Sequence, residues 1–547
     1  MKLNNIFLIA ALFAGSNVAS ASGEWDIQGV KYACDTLQHY TLGPGTTVTV
    51  VDLTGPVKQR VFYTTTDLDN PNLEVKTYCC SSFSTYKTVS AMAEDVTEDI
   101  YFAGVNSDLF SYTGTGPIGS TVINGEIVKT MKNTTGWQAV GLDSDGALYF
   151  GQPTINFGAK LNGKTEYAPS LVNVPRAESE CIIYTRSWGT NTKTTKGEAG
   201  VEIGLKPVKG YLSANEDTEC VVVSAPVLNG GSMEIPEGGL VISSNISSHL
   251  STTKGLAAMK VGDTYTIRIS GISVTGSAYG VSHSFDSMQQ LSGGQPVILE
   301  NGVILNTDGV LDHLTTRRPR TALGADATGK RMVMLVVDGD SYNKGISAGC
   351  GSKDLAAMML NTGCVNAINF DGGGSSTLYT QPMGVLNRPS DGSLRKVMSG
   401  WFLSTPNKAD TKVVSIAFAD WAKNLKYGES YKPVVYGYNA AGLLVNNNIT
   451  ACTLSCSSNL GTISSDGKTL TATGVDGSYV LTAMLPNGLS CTMPVVLGTP
   501  AKAIDIDAEP ENSVVEYYNL QGMRVANPEK GIYIKRQGLK VSKVFID

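Results

Sequence analysis

The sequence predicts an α+β chain: a mixed β-sheet region holding a βαβ unit, then an all-β sandwich, then a small β module at the C-terminus. Three observations carry this. From Trp25 to about Phe402, β-rich runs alternate with Gly, Pro and Asn punctuation. One segment, Ser352 to Asn361, has helix signals at both ends and lies between two strand candidates. After Pro406 short strands follow one another, spaced by turns such as Asp466-Gly467 and Asp476-Gly477. Composition agrees, since charged residues make up 16% where about 25% is usual and 60 of 547 residues are Gly.

In chain order, Lys2, the apolar run Ile6 to Ala14 and Ala19-Ser20-Ala21 read as a secretory signal peptide over residues 1–21. The mature protein is expected to be exported, to the periplasm, the cell surface or the medium. No later run approaches the ~20 apolar residues of a spanning helix. Residues 22–405 form the main region, with strands such as Thr46 to Leu53 and Arg60 to Thr66, and a break in the β rhythm around Ser90 to Glu98. In the helix, Ser352 is the expected N-cap, Asp354 sits in the first turn, Leu355, Met358 and Met359 share a face, and Gly363 lies past the end.

That helix connects Met332 to Val337 with Val365 to Phe370, so the two strands are predicted to be parallel, with a right-handed crossover. They end at Asp338-Gly339 and Asp371-Gly372, which places both aspartates on one sheet edge, where open α/β sheets bind ligands. Period-two alternation sets Asn369 and Asp371 on one side and Ile368 and Phe370 on the other. Residues 406–499 resemble bacterial immunoglobulin-like domains. A linker over 500–512 precedes a module over 513–547, whose Tyr518-Asn519-Leu520-Gln521-Gly522 and Gly531-Ile532-Tyr533-Ile534 resemble the terminal β modules of exported Bacteroidetes proteins.

Several functions are excluded. A net charge of -6 lacks the basic field of a nucleic-acid binder. The 4 His are isolated and the 10 Cys show no zinc spacing, which argues against a zinc hydrolase, although an oxidising compartment permits disulfides. Gly324 to Lys330 has P-loop spacing, but Arg331 replaces the required Ser or Thr and a strand follows, so it reads as a hairpin turn. Gly373 to Thr377 lacks the last Gly of a nucleophile elbow and runs into the extended Leu378-Tyr379-Thr380, which weakens a serine esterase reading.

The strongest local feature is Asn369 to Thr377. Its Gly372, Gly373 and Gly374 permit positive φ and can aim several N–H groups at one anion, with Ser375, Ser376 and Thr377 adding hydroxyls. The alternative is a tight turn with nothing bound.

An ordered set of motifs resembles the phosphodiester glycosidases. They are Ala103 to Phe110, Pro117-Ile118-Gly119, Asn124-Gly125, Val201-Glu202-Ile203, Gly293-Gly294, Asn301-Gly302, Pro319 to Gly324, Val336 to Gly339, Asn369 to Thr377 and Asn387 to Gly392. The resemblance implies hydrolysis of a sugar-1-phosphodiester, such as an α-N-acetylglucosamine-1-phosphate diester, to sugar and phosphomonoester. Ser107, Arg318 and Asp340 depart from the family's usual Gly, His and Arg, and Asp340 reverses a charge near the expected anion site.

Glycosidic cleavage commonly takes two carboxylates. A phosphate leaves as a stable anion, so donors that hold it matter more than an acid. Asp338, Asp371 and Arg320 are the catalytic candidates, with Arg320 as a phosphate fork. Asn106, Asp108, Glu202, Thr321, Asn369, Gly372 to Gly374, Ser375 and Ser376 are the substrate-binding candidates. No cofactor is required, although Asn106, Asn369 and Glu202 with the aspartates offer oxygen ligands to calcium or another hard cation. Each also has a structural alternative: Arg320 paired with Asp338, the aspartates as turn residues, Asn106 as a backbone bracket, Glu202 facing solvent. A surface protein that binds carbohydrate or polymer without turnover is the rival function.

Overall fold

A computed structural model describes residues 22–96, 99–131, 136–166, 169–177, 180–195, 200–214, 216–245, 250–276, 282–285, 287–311, 313–339, 345–406, 410–498, 515–518, 524–525, 528, 530–537 and 540–546. The leader, the whole linker and Asp340 lie outside these residues.

The chain is mostly β-sheet with few helices. The sheet that matters for function has nine strands, and its centre runs Gln59–Asp67, Arg331–Val337, Arg320–Ala325, Asn366–Asn369, Val297–Glu300. Alternation along Arg331–Val337 serves both faces. Val333, Leu335 and Val337 meet Leu355, Ala356, Met358 and Met359 of the Ser352–Asn361 helix. Met332, Met334 and Val336 meet Phe102, Val105, Trp401 and Leu403 from a second, five-stranded sheet. With both faces covered, the strand reads as a continuous apolar run.

The helix starts one residue earlier than its signals suggest: Gly351 is the N-cap and Ser352 the first helical residue. The Ser352 hydroxyl instead meets Thr307 Oγ1 at 2.6 Å. At the other end Gly363 takes φ +89, the left-handed position glycine fills without strain.

The two strands joined by the helix run parallel, as expected, with another strand between them. Arg331–Val337 and Asn366–Asn369 point the same way but are not neighbours, because Arg320–Ala325 lies between them and is antiparallel to each. The Asp326–Gly329 turn makes 320–325 and 331–337 an antiparallel hairpin, the reading given to the P-loop look-alike. This inserted strand brings Arg320, opposite Val337, to the edge where Asp338 and Asp371 emerge. Ile368 and Phe370 face the five-stranded sheet while Ala367 faces the helix, as the alternation requires.

A 14-stranded sheet, built from strands between Thr121 and Gly294, has its own core around Ile203, Leu205, Ile242 and Ile267. The short helix Val89–Glu94 is capped by Thr88, whose Oγ1 accepts from Ala91 N at 3.1 Å. Residues 415–497 form three small sheets around Ile416, Leu425, Leu470, Leu481 and Val495. Four strands between Val515 and Ile546 form a further antiparallel sheet. All ten cysteines are free thiols. No helix among the described residues is long and apolar enough to cross a membrane.

Candidate active site

The edge carrying Arg320, Asp338 and Asp371 borders a cleft of about 240 Å³, lined by His313, Arg318, Arg320, Asp371, Gly372, Gly373, Gly374, Ser390, Asp391 and Arg395. Asp371 enters it and Asp338 does not. The two aspartates share an edge, as their strand ends dictate, but their surroundings differ.

The Asp338 carboxylate is 2% exposed and turned to the loop that follows the Gly run. It accepts from Arg388 N at 3.1 and 3.2 Å and from Asn387 Nδ2 at 3.4 Å. Burial pushes its carboxyl up to about 6, against the pull of the Arg388 N–H, the Asn387 amide and the Arg60 charge. Its geometry is that of a loop anchor. Asp371 is held through its backbone: its N–H donates to Ser107 O at 2.9 Å and its carbonyl accepts from Asn106 Nδ2 at 2.7 Å. Burial also raises its carboxyl, opposed by the Ser375 hydroxyl, the Arg395 guanidinium and the Gly372 N–H.

Arg320 is 1% exposed, and no Arg320–Asp338 ion pair forms. Its Nε donates to Cys350 O at 3.0 Å and its Nη2 to His313 O at 2.7 Å and Thr316 O at 2.9 Å. These carbonyls fix the guanidinium plane in the cleft wall.

The Gly run is not the open anion nest that three consecutive glycines suggest. Residues Gly373–Ser375 form a 3₁₀ turn in which Ser375 N donates to Gly372 O and Ser376 N to Gly373 O, while Gly373 N donates to Pro319 O. The N–H groups of Gly373, Ser375 and Ser376 are therefore committed within the protein. The glycines have other reasons. Gly373 takes φ +62, and a Cβ on Gly374 would stand 2.0 Å from Asp391 Oδ2 and 2.3 Å from Arg395 Nη2. Arg395 bridges the cleft wall, with Nη2 2.7 Å from Asp391 Oδ2 and Nη1 3.4 Å from Ser375 Oγ.

Most remaining candidates support the site from behind. Asn106, 1% exposed, is a bracket: its Oδ1 accepts from Thr321 Oγ1 at 2.9 Å and Thr377 N at 3.1 Å, while its Nδ2 holds Asp371 O. Thr321 is thereby used up in the core. Asn369 Nδ2 donates to Gln295 O at 2.8 Å, and its Oδ1, like the buried Ser376 Oγ, has no hydrogen-bond partner among the described residues. Asp108 accepts from Trp137 Nε1 at 3.0 Å and from Gly119 N, and burial pushes its carboxyl up to about 7. It borders Gly119 and Gly293, not the cleft.

Glu202 lies in the 14-stranded sheet, away from the cleft, and is buried rather than solvent-facing. Its oxygens accept from Thr194 Oγ1 at 2.9 Å, Ser243 Oγ at 2.8 Å and Met233 N at 3.1 Å. The oxygen set considered for a hard cation is therefore dispersed: Glu202 is remote, and both Asn106 oxygen and amide are engaged. Among the described residues no group of three or more His, Cys, Asp or Glu could hold a metal ion.

His313, Arg318, Asp391 and Arg395 line the cleft without having been singled out as site residues. Asp391 and Arg318 did fall within or beside recognised motifs. Nothing in the local sequence marks His313 or Arg395, because their positions depend on loops folding back over the Gly run.

Residues 217–404 match the phosphodiester glycosidase family model, a stretch that holds the whole cleft but leaves out Asn106, Asp108 and Glu202. The resemblance read from the motifs is thus met over that segment. An SPbeta prophage-derived protein of Bacillus subtilis, YomE, is 35% identical over 94 residues, covering 17% of this chain and 14% of that protein's length. Among solved structures, a Synechocystis protein has TM-score 0.49 and 16% identity, covering 66% of this chain and 62% of that one. A Burkholderia pseudomallei protein has TM-score 0.47 and 18% identity, covering 64% and 75%. The catalytic domain of zebrafish N-acetylglucosamine-1-phosphodiester alpha-N-acetylglucosaminidase, auto-inhibited by its pro-peptide, has TM-score 0.33 and 13% identity, covering 68% and 89%.

Proposed function

We propose that the protein is an exported glycosidase that hydrolyses the glycosidic bond of a sugar-1-phosphodiester, for example an α-N-acetylglucosamine-1-phosphate diester, releasing the sugar and a phosphomonoester. The observation that carries this reading is the set of basic side chains, Arg318, Arg320 and Arg395 with His313, around the Asp371 carboxylate, with Asp391 paired to Arg395, inside the segment matched to the family. Export rests on the leader over residues 1–21. Residues 22–405 would be the catalytic region, 406–499 an immunoglobulin-like domain and 513–547 a terminal module.

The chemistry follows from the charges. A phosphodiester oxygen leaves as a stable anion, so the cleft needs cations at the leaving group more than a second carboxylic acid. Arg320, fixed by three carbonyls, holds the phosphate without reorganising. Asp371 takes a proton from water as its oxygen attacks the anomeric carbon, the C–O bond breaks, and the bonding pair leaves on the phosphate oxygen. Burial that raises the Asp371 carboxyl makes it a stronger base than a solvated aspartate. Asp338 then serves by anchoring the 387–388 loop rather than by touching substrate.

Sugar release from a panel of sugar-1-phosphodiesters, measured for wild type and Asp371→Ala, tests this; equal inertness of both sinks the reading. The rival, a carbohydrate-binding protein without turnover, draws support from the N–H groups of Gly373, Ser375 and Ser376, which are committed within the protein. Glycan binding that survives Asp371→Ala, with no hydrolysis by either form, favours it.

A further inference from the structure

Two guanidinium groups meet at one residue of the cleft wall. Thr316 takes Arg318 Nε on its Oγ1 at 3.3 Å and Arg320 Nη2 on its carbonyl at 2.9 Å. The backbone enforces the approach from the other side. Arg318 and Cys350 exchange both backbone hydrogen bonds, at 3.3 and 3.0 Å, and the same Cys350 carbonyl accepts from Arg320 Nε at 3.0 Å. Like charges tied to shared partners in this way repel each other unless an anion stands between them.

The surroundings leave the two cations in different states. Arg395, the third arginine of the cleft, is spent on Asp391, with Nη2 2.7 Å from Oδ2. Arg320 is buried with its Nη1 toward the Gly run, 3.7 Å from where a Cβ on Gly372 would stand, next in the chain to Asp371. Arg318 lines the cleft from an exposed position, and its guanidinium forms no ion pair among the described residues.

A phosphodiester brings one negative charge, and Arg320 answers it. Cleavage changes the balance. The released phosphomonoester carries close to two charges at neutral pH, since its second pKa is about 6, while Asp371 has by then taken a proton from water and no longer opposes the anion. The second charge thus appears beside Arg318, a cation that no carboxylate neutralises among the described residues.

We propose that Arg318 and Arg320 form a two-guanidinium clamp for a phosphate dianion, so that the cleft holds the phosphomonoester product more tightly than the diester and free phosphate monoesters compete with substrate. Guanidinium groups suit the task, because their planar N–H forks match phosphate oxygens. The clamp itself needs no turnover; its meaning as product retention rests on the glycosidase reading.

The test is calorimetric titration of the full mature chain with methyl phosphate, a dianion well above pH ~6, and dimethyl phosphate, a monoanion. It is run in the Asp371→Asn background, which stands for the protonated base, with and without Arg318→Gln, and melting temperature controls for folding. Methyl phosphate should bind about tenfold more tightly than dimethyl phosphate, and Arg318→Gln should weaken methyl phosphate about tenfold while leaving dimethyl phosphate within about threefold. Equal affinity for the two esters, or unchanged methyl phosphate binding by Arg318→Gln, overturns the proposal even if sugar release is robust. In wild type, methyl phosphate should raise KM for a sugar-1-phosphodiester without changing kcat; an active enzyme whose KM it leaves alone overturns the proposal too. A clamp that behaves as expected in a chain that releases sugar from no phosphodiester counts against the glycosidase reading alone.

Discussion

Replacing Asn106 by Ala should loosen the floor of the cleft far more than removing any one of its contacts. The amide makes three hydrogen bonds, to Asp371 O at 2.7 Å, from Thr321 Oγ1 at 2.9 Å and from Thr377 N at 3.1 Å. The Thr321 hydroxyl can rotate, but the Asp371 carbonyl and the Thr377 N–H cannot. A stranded buried polar group costs about 1–3 kcal/mol, so two of them, with the small void left by the amide, sum to about 3–5 kcal/mol. Hydrogen exchange of peptides covering residues 370–380 reads this directly. At about 1.4 kcal/mol per decade, exchange should quicken by between a hundredfold and a few thousandfold. Thr321→Val removes one donor and leaves both backbone bonds in place, so it should cost only about 1 kcal/mol. If Asn106→Ala exchanges within tenfold of wild type, or if the two variants match, the bracket assignment is wrong and Asn106 is free for another task.

Other expectations concern charge and space. Asp371→Asn should abolish sugar release while leaving the melting temperature within a few degrees, checked by product analysis and calorimetry. Gly374→Ala puts a methyl where the Asp391–Arg395 pair sits. That half-exposed pair can swing away at a cost of about 1 kcal/mol or less, so activity should fall sharply with little change in stability. Burial raises the folded-state pKa of Asp338 to about 6 from the ordinary aspartate value of 3.8. The folded state therefore binds its proton more tightly, and this stabilising contribution is full below pH ~4 and lost as pH rises through about 6. Asp338→Asn, measured by denaturant unfolding, should gain on wild type by about 2–3 kcal/mol between those limits, then plateau. Glu202→Gln should lower stability, because a donor replaces an acceptor facing either Met233 N or the Thr194 and Ser243 hydroxyls. Its turnover per folded molecule should not change, since it lies away from the cleft.

Much of the site was legible because it is local. Asp338 and Asp371 each end a β-run before Gly, so the chain alone places them at strand ends, and a helix between those strands sends both ends to one edge. Glu202 shows the limit. An acidic residue in a short strand motif reads equally as ligand or surface charge, and only the covering of both strand faces decides that it is buried among hydroxyls. The Gly run was marked for positive φ, which Gly373 takes, but the need for a bare Cα under the Asp391–Arg395 pair at Gly374 was not legible, because both demands leave the same letter in the sequence.

By itself the sequence determined the β-rich architecture, the helix over 352–361, the strand ends, and the family resemblance, because alternation, capping and turn chemistry act over a few residues. Tertiary structure decided which aspartate faces the cleft. Residues 387–395 return over the Gly run and offer Asp338 a backbone N–H and an amide, while Arg395 and Ser375 border Asp371. It also inserted Arg320–Ala325 between strands that the order of elements had made neighbours. Both outcomes depend on contacts between residues distant in the chain, where packing and desolvation rather than local propensity set the energy.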